Sequence, residues 1–193
     1  MGTVASAMSM SLDGYVTDPD DSRKNPLGEG GMVLHEWIWA RTSTAADQAV
    51  LQEMSDGVGA ILMGRRSYDF CVGEGGWGDG GPAGQVPCFV MTHNPPAEAP
   101  AVFTFVTDGI ESAIKQAKAV AGDKTVGLHG ATAPQQALAA GLLDEIHVHL
   151  VPVLLGGGVR LFDLLGGGPI TLDRTRVVEA GSGVTHLRYQ VVR

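Results

Sequence analysis

Residues 126–162, VGLHGATAPQQALAAGLLDEIHVHLVPVLLGGGVRLF, decide the fold. Val126–His129 reads as a buried strand, and a glycine turn leads into a helix over Thr132–Ala140. An acidic corner, Asp144-Glu145, then opens a long second strand over Ile146–Leu155, followed by the triple glycine Gly156–Gly158. A glycine between a strand end and a helix start lets phosphates approach backbone N–H groups at the positive end of the helix dipole. The stretch therefore reads as nucleotide-handling architecture.

The flanking chain repeats this alternation. Thr3–Met10 is small and apolar, suited to a central strand, and Ser11–Gly31 is a long polar loop of a length that is usually functional. Leu34–Ala40 carries Trp37 and Trp39, and Thr44-Ala45-Ala46-Asp47 opens a helix to about Ser55. Val58–Met63 is an apolar strand, Arg65–Cys71 a short helix, and Val72–Gly84 a second glycine-rich loop. Strands follow at Pro87–Thr92 and Val102–Val106, then a helix from Asp108 to about Ala121. Ile170–Glu179 and Val184–Val192 alternate apolar and polar residues around Ala180–Gly183, which predicts a terminal hairpin. Strands separated by helices indicate an α/β fold with a mostly parallel sheet, here closed by antiparallel edge strands. No repeat or linker divides the chain, so residues 1–193 read as one domain.

Composition narrows the classes. With 193 residues, 44% hydrophobic and 18% charged, the chain can bury one ample core. A net charge of −8 with no basic stripe argues against nucleic acid as a partner. Cys71 and Cys88 match no metal-ligand or redox spacing, so a reducing cytoplasm fits best. The apolar runs are too short to span a bilayer. The opening MGTVAS matches a myristoylation pattern, but Thr3–Met10 also reads as a core strand.

Ile61–Tyr68, ILMGRRSY, is a second phosphate candidate. Gly64 ends a buried strand where a helix begins, and Arg65 and Arg66 occupy the first helical turn. Guanidinium groups at a helix start oppose the dipole unless an anion is present, and they suit a phosphate monoester. Two solvated arginines beside an ordinary strand–helix corner are the plain alternative. Gly73–Gly78 spells G-x-G-x-x-G but follows a helix and precedes none, so it fails the strand–turn–helix context of a dinucleotide fingerprint.

Four motifs in order carry a resemblance: Ser11-Leu12-Asp13-Gly14 after the first strand, Met63–Tyr68, Gly141–Glu145, and Val151–Gly158. The chain resembles the dihydrofolate reductase-like family, and within it the C-terminal reductase domain of bacterial bifunctional riboflavin deaminase-reductases, as a stand-alone relative. The resemblance spans nearly the whole chain. It implies NADPH as cofactor, hydride transfer to a small imine or heterocycle, and a homodimer. It also implies that Gly64, Arg65, Arg66 and Ser67 bind the pyrophosphate and 2′-phosphate side, with Thr92, His93 and Asn94 flanking the adenosine. His129, Gly130, Ala131 and Thr132 then hold the pyrophosphate near the nicotinamide, with His129 standing where relatives usually carry glycine.

A proton donor aids hydride addition to a C=N bond. The resemblance points to Asp47, which as a first-turn carboxylate also suits the helix dipole; Asp13 is the alternative and doubles as an Asp-Gly turn residue. His147 and His149 share a strand face, and His149 is a candidate to donate a hydrogen bond or tune a carboxylate. A metal would need a third ligand that cannot be placed. Trp37, Trp77, Gly156 and Gly157 are candidates to contact substrate. Arg23, Lys24 and Arg41 are the basic residues of the loop region that would meet a ribose phosphate. The expected activity is thus a 5-amino-6-(5-phosphoribosylamino)uracil reductase-like step of riboflavin biosynthesis. Pteridine or dihydrofolate reduction on the same fold, or non-catalytic nucleotide or flavin binding, stay open.

Overall fold

Strand β1 (Val4–Ser11) lies near the middle of the sheet because its residues are small enough to be covered on both faces. The structure is a computed structural model that describes residues 2–39, 41–163, 165 and 167–193. The strands are β1, β2 (Tyr15–Thr17), β3 (Val58–Gly64), β4 (Cys88–Met91), β5 (Phe103–Val106), β6 (Thr125–His129), β7 (Glu145–Val151), β8 (Val159–Arg160), β9 (Leu172–Glu179) and β10 (Thr185–Val191). The helices are α1 (Glu36–Trp39), α2 (Ala45–Gly57), α3 (Arg65–Cys71), α4 (Ile110–Ala121) and α5 (Thr132–Ala139); a 3-10 turn at Gly31–His35 precedes α1.

The main sheet runs β5-β4-β3-β6-β1-β7-β10-β9. It is parallel from β5 to β7, and β10 and β9 add the antiparallel hairpin. This is the α/β architecture expected from the alternation of strands and helices. One face carries Val4, Leu62, Val126, Leu128, Ile146 and Val148 and packs against α4 and α5. Those helices present Ala113, Ala117, Ala133 and Ala137, small residues that let them lie close to the strands.

The opposite face differs. Ala5, Ala7 and Ser9 of β1 stand beside Gly127 of β6 and His147 and His149 of β7, and register carries the row on to His186 and Arg188 of β10. Directly paired residues project to the same side, so this face is small and polar. Helix α2 faces it yet buries only Asp47 and Val50, while Leu51 and Met54 line a cavity between helix and sheet.

Two differences from the sequence reading have local causes. The strand expected over Ile146–Leu155 ends at Val151, because Pro152 has no N–H for the ladder. The Val153 N–H instead closes a tight turn onto the Val151 carbonyl at 2.8 Å. The loop expected over Ser11–Gly31 contains β2, which pairs with β8 in a separate two-stranded sheet; both strands are too short to show periodicity. Gly73–Gly78 follows α3 and opens no helix, as read from the sequence, and the Trp77 N–H bonds the Cys71 carbonyl at 2.8 Å.

Candidate active site

A cavity of about 1320 Å³ opens across the carboxyl ends of β3, β4 and β6 and runs along the small-residue face beneath α2. Ligands of open α/β sheets bind at such strand ends. On one side the cavity meets Gly64–Ser67, Thr92–Asn94 and His129–Thr132, so the structure gathers these three segments into one corner. Helices α3 and α5 begin there, at Gly64 and Ala131, and neither start has a side-chain cap. Their first-turn N–H groups are therefore open to an acceptor.

The two turns approach closely. Gly130 has φ of +78°, and a Cβ at that position would lie 2.5 Å from Ser67 Oγ. The backbone conformation favours glycine, a Cβ would push the Ser67 hydroxyl aside, and the side chain that glycine lacks leaves the cradle open. The nearby arginines are held by carboxylates: Arg65 Nε lies 3.0 Å from Asp69 Oδ1, and Arg65 Nη1 donates to the Asn94 carbonyl. Arg66 donates to Asp21 and lies over the Phe70 ring at 4.9 Å. The Arg66 side chain is 63% exposed, so its pairing is open to exchange for a stronger anion.

The other side of the cavity holds Trp37 and His149. Trp37 is buried, donates from Nε1 to Ser9 Oγ at 2.9 Å, and packs its ring against His149 and His186 at 4.7 and 4.9 Å. Behind it runs a buried polar chain. His149 Nδ1 meets His186 Nδ1 at 2.9 Å, and His186 Nε2 meets Asp47 Oδ1 at 3.0 Å. The Ser182 hydroxyl also donates to Oδ1, at 3.0 Å. Asp47 Oδ2 accepts the Thr44 N–H at 2.7 Å while the Asp47 N–H donates to Thr44 Oγ1 at 3.4 Å, a capping box at the start of α2, and the Thr44 hydroxyl also donates to Oδ2 at 2.6 Å.

Asp47 is fully buried. Burial alone would raise its carboxyl pKa, but the Thr44 hydroxyl and amide, His186 and Ser182 together hold it below the ordinary value. It therefore carries a stable negative charge that faces His186 rather than the cavity. With His186 neutral, its Nε2–H donates to Asp47, its Nδ1 accepts from His149 Nδ1–H, and His149 Nε2 is left as an acceptor.

His149 Nε2 has no hydrogen-bond partner, and neither do the buried Nδ1 atoms of His35 and His129. All three residues line the cavity. Burial pushes His35 and His129 down to about 4, and His149 to about 3, so all three imidazoles are neutral at physiological pH. Trp77, half exposed, sets its ring edge-on to His129 at 5.7 Å. His147 instead pairs with Glu145 at 2.7 Å.

Asp13, Gly156 and Gly157 lie apart from this group and are not among the described residues lining the cavity. Asp13 accepts the Ser11 hydroxyl at 2.6 Å and the N–H groups of Leu155 and Gly156 at 3.1 and 2.8 Å, tying the loop after β1 to the glycine segment. The Ser11 hydroxyl and these amides lower its pKa. Gly157 packs by Pro19, where a Cβ would come within 2.9 Å.

Sequence reasoning missed His35, His186, Ser182 and Ser9. His186 becomes visible only once β10 is paired with β7 so that it faces His149. The one signal available was the alternation of the terminal hairpin, which put His186 and Arg188 on a common face.

Comparison with known proteins agrees with this fold. A Shewanella sp. PV-4 structure, provisionally named as a riboflavin biosynthesis protein, superposes with a TM-score of 0.74 at 21% identity over 100% of both chains. A pyrimidine reductase-like protein from Corynebacterium diphtheriae gives 0.61 at 13% identity, covering 100% of this chain and 92% of that one. The Thermotoga maritima diaminohydroxyphosphoribosylaminopyrimidine deaminase/5-amino-6-(5-phosphoribosylamino)uracil reductase gives 0.61 at 14% identity; 99% of this chain spans 57% of that longer one. No curated protein sequence matches. The model of the RibD C-terminal domain matches residues 2–186. The chain therefore belongs to the RibD C-terminal domain family.

Proposed function

We propose that the chain is an NADPH-dependent reductase of a small imine or heterocycle, acting in or near riboflavin biosynthesis. The observation that carries this reading is one cavity with two unlike ends. One end offers two uncapped helix starts with two guanidinium groups, and the other a buried imidazole backed by a carboxylate.

The corner fits a dinucleotide phosphate. Arg65 and Arg66 take the 2′-phosphate by exchanging carboxylate partners for a phosphate, to which guanidinium groups bind more strongly. Thr92, His93 and Asn94 flank the adenosine. The Gly64–Ser67 and His129–Thr132 turns present backbone N–H groups to the pyrophosphate, an approach that Gly130 keeps open. When bound, the reduced nicotinamide supplies the hydride.

The chain's own residues handle the proton and the water. Trp37 and Trp77 cover the ring-binding space and exclude solvent, which strengthens polar interactions inside. His149 Nε2 takes a proton from solvent water and passes it to the substrate nitrogen as the hydride adds to the neighbouring carbon, so the ring returns to its neutral form. Asp47 acts through His186 to fix the His149 tautomer and to stabilise the imidazolium that forms in passing. Asp13 holds the loop after β1 against Leu155 and Gly156. A cytoplasmic homodimer goes with this reading. No helix of the described residues is long and apolar enough to cross a membrane.

The test is the loss of reduced-nicotinamide absorbance when the protein, NADPH and candidate pyrimidines or pteridines are mixed. Turnover that falls about 100-fold in His149→Gln, with NADPH affinity kept, supports the reading. Tight NADPH binding with no oxidation by any such ring favours a non-catalytic nucleotide-binding role.

A further inference from the structure

Among the described residues, the substrate end of the cavity has no cation free of a carboxylate partner with which to hold a phosphate. Three cationic side chains line the cavity among the described residues: Arg65, Arg66 and Arg188. The first two belong to the nucleotide corner. Arg188 is paired with Glu53 at 2.6 Å, and Glu53 also accepts Arg176. Arg23, the basic residue best placed by sequence for a ribose phosphate, is drawn to Asp69 at 2.9 Å. Arg23, Lys24 and Arg41 do not line the cavity.

What this end does have is flat and neutral. Its floor is Ala5, Ala7 and Gly127, which add almost nothing above the sheet. Leu51 and Met54 of α2 form the opposite wall, and Trp37 closes it. Three imidazoles that line the same cavity, His149 and His35 and, at the nucleotide corner, His129, have buried ring nitrogens without a protein partner. Buried polar atoms are rarely left so, and three at one cavity indicate that a ligand completes them. A neutral imidazole offers one N–H donor and one bare nitrogen acceptor, and the bare nitrogen pairs with an N–H or O–H group of a ligand.

We infer that this site, read as a reductase's, takes an uncharged planar heterocycle rich in N–H and O–H groups rather than a sugar phosphate. The rim residue His35 is then a specificity-determining side chain that contacts the ring.

The experiment is calorimetric titration of matched probes, riboflavin against FMN and uridine against its 5′-monophosphate, together with pterin. Each is run on the full chain alone and on the chain saturated with NADP⁺, so that a phosphate cannot score by entering the nucleotide corner. The expected result is binding of at least one neutral ring, at least tenfold tighter than its phosphorylated partner where it has one. His35→Phe is expected to weaken that ring about tenfold while leaving NADP⁺ affinity within about twofold. Tighter binding of the phosphorylated partners, or no binding by any neutral probe, overturns the inference, as does unchanged ring affinity in His35→Phe. Failure of NADP⁺ to bind instead strikes the reductase reading, and ring preference is still read on the protein alone.

Discussion

The Nδ1 atoms of His149 and His186 lie 2.9 Å apart, and Asp47 stands 3.0 Å beyond His186 Nε2. This places a buried carboxylate two imidazoles away from the cavity. A proton added to the chain changes which ring nitrogen donates, and so converts His149 Nε2 from acceptor to donor.

If the chain supports turnover, changing its middle member should matter without touching the cofactor. His186→Asn is expected to lower kcat about tenfold or more and to displace the pH–rate profile, with NADPH KM unchanged. Steady-state kinetics across pH, with circular dichroism to verify folding, checks this. An unaltered profile and kcat would assign the pair a purely structural role.

The imidazoles also set the acid sensitivity of the fold. His35 and His129 are lowered to about 4, and His149 to about 3, from an ordinary value of 6.5. As pH falls below 6.5 the unfolded chain takes up protons that these residues refuse when folded, so stability falls with pH. Each contributes a slope of up to about 1.4 kcal/mol per pH unit until its folded value is reached. Asp47 has the opposite chemistry and the same direction: its contribution is present above its unfolded value and is lost as pH falls through its lowered one. Thermal unfolding at pH 7, 6 and 5 is expected to give a steadily falling Tm, with a shallower fall in His35→Phe. A Tm that is flat or rises over this range contradicts the burial argument.

Gly130→Ala tests the cradle. The substitution forces a side chain onto a backbone at φ +78° and within 2.5 Å of Ser67 Oγ. A loss of at least about 1 kcal/mol in urea unfolding is expected, together with weaker nucleotide binding. Adding Ser67→Ala removes the close contact but not the conformational strain, so it should restore only part of the stability. Full stability in Gly130→Ala alone would mean that the turn relaxes freely.

Much of this was legible beforehand because it depends on local pattern. Helix α3 runs over Arg65–Cys71 as expected, since Gly64 stops the strand and three polar residues follow it. Thr44-Ala45-Ala46-Asp47 opens α2 as expected, with Asp47 in its first turn. The parallel core follows from apolar strands such as Ile61–Met63, which are buried on both faces. The hidden part depends on pairing across long separations. Asp47 and His186 are 139 residues apart, and nothing in either neighbourhood says that they meet. Asp13 looked equally suited to chemistry and to a turn, and its acceptance of the Leu155 and Gly156 amides depends on a contact across more than 140 residues.

The proposed role of the corner around Gly64 and Gly130 is to hold NADPH by its 2′-phosphate. Quenching of tryptophan fluorescence by NADPH and NADH, in the parent chain and in Arg65→Ala/Arg66→Ala, tests it directly, because Trp37 and Trp77 both line the cavity. The account predicts that the parent prefers NADPH by at least tenfold, and that the double variant loses this preference while keeping its NADH affinity. Equal affinity for the two nucleotides in the parent, or no binding of either, would contradict it.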